Sequence, residues 1–530
     1  MTIKLNALAA AALAVVAVTG AQAAEPKSGG ILRFYHRETP PSLSIHEEAT
    51  FSVNVPAMGL YNNLVVYDQH KAQNSMGTIV PDLADSWAWS SDNLSLSFKL
   101  HQGVKWHDGQ PFTSKDVKCT FDLIQGKGQD KFRKNPRKDL FKNVTDVTTN
   151  GDYEVTLHLS RPQPSILAML ASGYTPMYSC HVTAAQMRTT PIGTGPFKFV
   201  EFKQNESIKL TKNSDYFKKG LPYLDGIEYT IIPNRATAVL AFVAGRIDAT
   251  FPSEMTSALI KDIKSQDPTA VCEIGPINVN SNLIVNRDKP PFDNADLRKA
   301  MALSLDRKAF IDIIFQGQGD AGGALLPPPE GVWGMPPDIL KTIPGYGDVA
   351  KSREEARGIM AKLGYSADKP LKIKVSTRNL ATYRDPAVVL IDQLKTVYID
   401  AELDPVESSA WFAKVARGDY SVGLNLTGNG IDDPDQAFYE NYACGSERNY
   451  TNYCNKEIEA LFDKQSVETD VEKRKKLVWD IDKKLQEDVA RPILMHGRSG
   501  MCWKPYVKNM TIMNNSVYNG FRYEDVWLDK

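Results

Sequence analysis

The chain has 530 residues, 42% hydrophobic and 24% charged, a balance that supports a packed core and excludes a disordered or low-complexity chain. With 62 basic against 63 acidic residues and no basic block, it carries no electrostatic footprint for nucleic acid or an anionic membrane. Beyond the first two dozen residues no run reaches the roughly 20 apolar residues of a membrane span, and about 500 residues exceed what one core usually holds, so two or more lobes are expected.

Met1 to Asn6 carries one positive charge, Ala7 to Val18 is unbroken apolar sequence, and Ala21-Gln22-Ala23 has the small-x-small pattern of a signal-peptidase site. Residues 1–23 therefore read as a cleaved export signal. The first cysteine is Cys119, so the mature N-terminus offers no thiol for a lipid anchor, and a soluble periplasmic product is expected. Gly30 to Tyr35 reads as a buried strand, Pro40-Pro41 as loop, and Val53 to Val66 as a helix running into a strand. Trp87 to Trp89, the strictly alternating Leu94 to Leu100, and the turn at Trp106-His107-Asp108-Gly109 spell antiparallel structure. Thr113-Ser114-Lys115-Asp116 is a capping box opening a helix to about Gln125, Lys127 to Lys142 is a polar loop, and Tyr153 to Leu159 is a strand.

Lys198 to Phe202 and Ser207 to Thr211 form an antiparallel pair; Ile227 to Ile232, Arg235 to Ala244 and Ile247 to Ala249 form a βαβ unit with parallel strands. In the second half Asn278 to Val285 is extended, Ala295 to Ser304 and Arg307 to Phe315 are helices, and Leu326 to Pro344 is too rich in proline for either state. Three helix–strand repeats follow, from Arg353 to Leu424, making a second α/β lobe; a helix over Val471 to Gln486 precedes a strand at Ile493 to Gly497.

Six cysteines suit an exported chain with a few staples. Cys444 and Cys454 flank a short turn-rich loop and are expected to pair, contributing ~2–3 kcal/mol by chain entropy. Cys119, Cys180, Cys272 and Cys502 allow three pairings; Cys119 with Cys180 and Cys272 with Cys502 is the first choice, the other two staying open.

Five blocks together resemble the family 5 extracellular solute-binding proteins, the oligopeptide, dipeptide and nickel receptors of ABC importers. They are Ala84-Asp85-Ser86-Trp87 with Phe98 to Gly109, then Gly193-Thr194-Gly195-Pro196-Phe197, Asn213-Ser214-Asp215-Tyr216-Phe217, Gly245-Arg246-Ile247-Asp248, and Leu297 to Ala302 with Leu305-Asp306-Arg307. The resemblance implies an α/β, two-lobed periplasmic-binding-protein clamp, with mixed sheets flanked by helices and an extra subdomain in lobe one. Lobe one would span 24–278, with an insertion at about 61–184, and take back 496–530; lobe two would span 279–495. Two strands near 275–282 and 490–502 would form the hinge. The implied partners are a peptide or peptide-sized solute, a permease and its ATPase subunits, and the implied state is a monomer. No catalytic residue, cofactor or metal is expected, because capture breaks no bond.

In peptide-binding members the first strand and a loop of lobe two pair with the ligand backbone. The matching positions are Arg33 to Arg37, with Tyr35 and His36 facing the cleft or instead packed and at the surface, and Leu426 to Asp433, which includes Gly428, Asn429, Gly430 and Asp432. Trp333 and Trp411 are candidates for an aromatic wall, with core packing as the alternative. The family's peptide receptors carry an amine-pairing aspartate several residues before Pro434, where this chain has Gly430. Asp432 substitutes for it if the loop is re-threaded, or else Asp432 or Asp433 caps the helix after Pro434. Opines, sugars and amidated or cyclic peptides therefore stay open beside free peptides.

His46, His101 and His107 lack the spacing of a metal site and read as surface histidines. Gly317-Gln318-Gly319-Asp320-Ala321-Gly322 matches the dinucleotide pattern but follows a helix and runs into prolines, so it cannot set a pyrophosphate on a helix N-terminus. A secreted hydrolase lacks any nucleophile motif; a sensory or chaperone-like clamp is the remaining rival.

Overall fold

The computed structural model describes residues 25–48 and 50–530; the predicted export signal lies outside them. The first sheet runs Ile31–His36, Gly226–Ile231, Ser207–Lys212, Phe197–Lys203, its first pair parallel and the rest antiparallel. The two extended segments of the predicted βαβ unit do not pair with each other: Gly226–Ile231 pairs in parallel with Ile31–His36, and Ile247 to Ala249 makes a single parallel bridge to the same strand, Phe34 to Ala249. An antiparallel sheet of Ala84–Trp89, Ser95–Leu100, Glu154–Leu159 and Val144–Thr149 stands apart from it. The helix Ser114–Gln125 covers that sheet, and its capping box is formed, Thr113 meeting the backbone at Asp116 and Asp116 returning to Thr113 at 2.9 Å.

The third sheet has the order Ile399–Val406, Leu371–Arg378, Val422–Gly428, Val271–Val285, Ile493–Trp503. Its first three strands are parallel, as the helix–strand repeats dictate, and the last two run antiparallel to their neighbours. The last two strands are long, and the far end of their pairing runs on beyond the rest of the third sheet. Val271–Val285 pairs with Ile493–Trp503 from Val271–Trp503 to Asn282–Ile493, with a register break between Pro276 and Asn280. Beyond the break, Trp503 and Gly500 bridge to Ala249 and Met255 beside the first sheet. Proline at 276 supplies no amide hydrogen to the ladder, a physical reason for the break to fall there.

All three disulfides follow the first-choice pairing: Cys119–Cys180, Cys272–Cys502 and Cys444–Cys454. Separate cores lie under the first and third sheets. Another core is shared: Leu96 and Leu157 of the antiparallel sheet and Phe121 of the helix over it pack in one cluster with Phe438, Phe462, Val478 and Leu485 from the helices Pro434–Asn441, Lys456–Ser466 and Val471–Glu487. The stretch 61–184 and the C-terminal helices of 279–495 thus meet through a dry face, reinforced by Arg161–Asp463 at 2.9 Å and Ser165–Asp435 at 2.6 Å. Among the described residues no helix is long and apolar enough to cross a membrane.

Candidate functional site

A cavity of about 640 Å³ opens between the first and third sheets, floored by the two long strands at Ile277, Val279, Ser281, Met495 and Gly497. One wall carries Arg37, Phe51, Arg235, Glu254, Val517 and Tyr518; the other carries Phe315, Arg378, Tyr383, Val389 and Phe412. A second cavity of about 400 Å³ shares Thr50, Phe412, Arg448 and Tyr450 with the first, so the two are one cleft with a waist at those residues.

The charges of this cleft are set from behind. Glu38 is buried and receives Arg378 from the opposite wall, with Arg37 Nε 3.4 Å away. Burial alone would raise its carboxyl, but Arg378 and then Arg37 hold it well below the usual carboxylate range. Glu254 accepts Arg37 Nη1 at 2.7 Å and Arg235 Nε at 3.2 Å, and Glu440 accepts Arg448 Nη1 at 2.8 Å. The Arg378–Glu38 pair ties the strand Leu371–Arg378 to the loop after Ile31–His36, directly across the cleft.

Of the eight sequence-selected residues only Gly428 lines the cleft, where a side chain would strike the Tyr518 hydroxyl at 2.3 Å from its Cβ. Tyr35 is 1% exposed and belongs to the core under the first sheet. His36, far from the surface, is fully buried: Nε2–H donates to the Ser52 carbonyl at 2.8 Å, Nδ1 accepts the Glu38 N–H at 3.3 Å, and burial pushes its pKa down to about 4. Trp411 is fully buried against Ile284 and Val415, and its neighbour Phe412 reaches the cleft instead. Trp333 is held away from the cleft, Nε1–H donating to the Asp432 carbonyl at 2.9 Å beneath the Arg474 guanidinium.

The loop after Val422–Gly428 is anchored throughout. Asn429 N–H donates to Asn278 O at 2.9 Å, and Gly430 and Ile431 N–H both donate to Gln436 Oε1. A Cβ at Gly430 would meet Ser172 Oγ at 2.7 Å, so an aspartate does not fit there without a shift. Asp433 caps the helix Pro434–Asn441 by accepting the Asp435 N–H, and is gripped twice at 2.8 Å by Arg474. Asp432 turns to Val332 N–H at 3.0 Å and Asn515, and burial raises its pKa to about 7. Re-threading of Asp432 into the cleft is therefore not seen.

His46 departs from the expected surface position: it is 5% exposed, stacked on Phe132, with Nε2 at 2.8 Å from Pro176 O. His101 meets Asp85 at 2.7 Å and His107 meets Gly195 O at 3.0 Å. The polar lining residues missed in the sequence, Arg235, Arg378 and Arg448, lie on three different elements and share no motif. Arg378 ends the strand Leu371–Arg378, where the exposed Lys372 and Lys374 give it no distinguishing charge pattern.

The family model of bacterial extracellular solute-binding proteins, family 5 middle region, matches residues 78–449. A probable di/tripeptide-binding protein 5 of Pseudomonas aeruginosa is 24% identical over 507 residues, 89% of this chain and 91% of that one. The Helicobacter pylori periplasmic binding protein DppA, solved with the peptide STSA, superposes with a TM-score of 0.83 at 22% identity, covering 95% of this chain and 99% of its own. The Agrobacterium tumefaciens R10 protein AgaA, solved with agropinic acid, superposes at 0.80 with 24% identity over 94% and 99%. These superpositions show the two-lobed binding-protein fold, and the chain belongs to the bacterial extracellular solute-binding proteins of family 5.

Proposed function

We propose that this protein is the periplasmic substrate-binding subunit of an ABC importer, closing on a peptide or peptide-sized solute and passing it to a permease driven by ATPase subunits, with no chemical step of its own. The observation that carries the reading is the cleft itself, lined from two sheets with the two long strands as its floor, so that one motion about those strands encloses and desolvates a solute and the reverse releases it. We place the hinge at the Pro276–Asn280 register break, lobe one at 24–278 with 496–530, and lobe two at 279–495. The inserted subdomain is 61–184. Export by a cleaved signal over 1–23, a mature chain without a lipid anchor, and a monomeric state complete the proposal.

Within the site, Gly428 keeps its role as a cleft residue, joined by Arg37, Phe51, Arg378, Phe412 and Tyr518. Tyr35, His36, Trp333, Trp411, Asn429, Gly430 and Asp432 support the walls from behind. The names of the relatives support a peptide; Gly430, and the agropinic acid of one structural neighbour, support a second reading in which the solute is not a peptide. A cognate solute at a hundredfold excess over its Kd is expected to stabilise the protein by about 2.7 kcal/mol, read as a rise in Tm. A panel of peptides, opines and oligosaccharides that produces no shift overturns the receptor reading.

A further inference from the structure

Around the cleft one set of charges does not balance within itself. The buried Arg37, Arg137, Arg378 and Arg448 and the partly exposed Arg235 share three carboxylates, Glu38, Glu254 and Glu440, which leaves two guanidinium groups in excess within this set. The excess lies at the waist. Arg448, 6% exposed, borders both cavities, and its Nε–H is buried without a hydrogen-bond partner among the described residues. Behind it Arg137, 4% exposed, reaches no closer than 3.6 Å to Glu440, stacks on Tyr174 at 3.3 Å, and has all three of its nitrogens unpartnered. Buried charge without a partner is costly, and a group that supplies the missing anion gains what the protein alone forgoes.

The buried acids near the cleft are already committed. Glu254 sits between two arginines, Asp432 and Asp433 point into the protein, and Glu47 is held by Arg188 and Glu48 by Arg133, while Asp385 and Glu447 stand exposed on the rims of the two cavities. The first cavity, by contrast, ends in apolar side chains: Ile313 and Val388 line it while 62% and 51% exposed, beside Ile314, Phe315 and Val389. Exposed aliphatic side chains at a cavity mouth are expected where an apolar ligand surface completes them.

We propose that the solute is an organic oxyanion with an apolar body and no free amine, its anionic group seated at Arg448 and its apolar part against Ile313 and Val388. The proposal rests on the receptor reading above and narrows it. An oxyanion between guanidinium groups makes charge-assisted, often bidentate hydrogen bonds, whereas an ammonium placed there meets guanidinium groups and carboxylates that those groups already hold.

The test begins with the full chain prepared from its native source, unfolded to release whatever it carries, with mass spectrometry of the released solute. An organic acid without a primary amine is expected, and Arg448→Gln is expected to lower its affinity at least tenfold. Because Arg448→Gln strands Glu440, Arg235→Gln serves as a second variant: Glu254 keeps Arg37, and a several-fold loss is expected. Protein that carries nothing is titrated with N-acetyl-methionyl-leucine and with methionyl-leucine amide, and the acetylated acid is expected to bind at least tenfold more tightly. A released solute that is cationic, neutral or a free amine overturns the proposal and leaves the receptor reading standing, as does preference for the amide or affinity untouched by both substitutions. Protein that carries no solute and binds neither probe overturns the proposal; the receptor reading falls with it only where the wider panel of peptides, opines and oligosaccharides also gives no rise in Tm.

Discussion

Trp411 and Phe412 are neighbours on the helix Ser408–Ala416 and face different surroundings, one inside the core under Gly423 and the other in the cleft. Trp411→Ala is expected to remove about 3–5 kcal/mol of unliganded stability through the cavity it leaves. Phe412→Ala is expected to cost about 1–2 kcal/mol and to weaken solute binding at least tenfold. Denaturant unfolding of each variant without solute, followed by titration, separates them; equal losses of stability would overturn the assignment. The sequence reading gives Trp411 as either an aromatic wall or core packing, and in the structure Trp411 takes the packed alternative while Phe412 lines the cavity. An aromatic pair reads alike in a core and in a cleft, and a 100° turn of the helix per residue decides which is which. His36 shows the same limit, since a histidine ending a buried strand faces in or out by strand alternation that depends on what covers the sheet.

At the scale of elements the local rules carried furthest. The Thr113–Asp116 capping box, the alternation of Ser95–Leu100 and the helix–strand repeats of the third sheet all form where short-range chemistry calls for them. The strands Val271–Val285 and Ile493–Trp503 were read far too short, because Gly275, Pro276, Gly497 and Gly500 interrupt the pattern. Pairing between the two strands, including Cys272 facing Cys502, overrides those interruptions. That disulfide closes 230 residues, and its removal by Cys272→Ser with Cys502→Ser is expected to cost ~5–6 kcal/mol in the chain-entropy account. Removing Cys444–Cys454, only 10 residues apart, is expected to cost ~2–3 kcal/mol. Urea unfolding of the two double variants under oxidising conditions gives the order, and a larger loss for the short loop would contradict it.

For the whole molecule, burial of ionisable groups predicts the response to acid. His36, His46, His107 and His496 are depressed from 6.5 to about 4, chiefly by burial, so each contributes stability that is present above pH 6.5 and lost as the pH falls toward 4. Asp432 and Asp482 are raised from 3.8 to about 7 and about 6, also by burial; they favour the folded state at low pH and lose that contribution as the pH rises through those values. Between pH 4.5 and 6 the four histidines outnumber the two aspartates by two protons. From these six groups, stability should fall by about 2.7 kcal/mol per unit of acidification. Asp432→Asn with Asp482→Asn should steepen the fall by about 2–3 kcal/mol per unit, measured by denaturant titration across that window. An unchanged slope would mean both carboxyls are ionised in the folded protein.

The sequence by itself determined the export-signal pattern, the α/β class, the family blocks and most element positions, because each rests on residues close together in the chain. Tertiary structure alone decided the cleft. Arg37, Arg235, Arg378 and Arg448 come from segments up to 411 positions apart, and only the packing of two sheets across two long strands brings them to one cavity. It also decided which acids are spent, since Asp432 and Asp433 carry the same charge in the sequence and are turned inward by Val332, Asn515 and Arg474 only once the loop has folded.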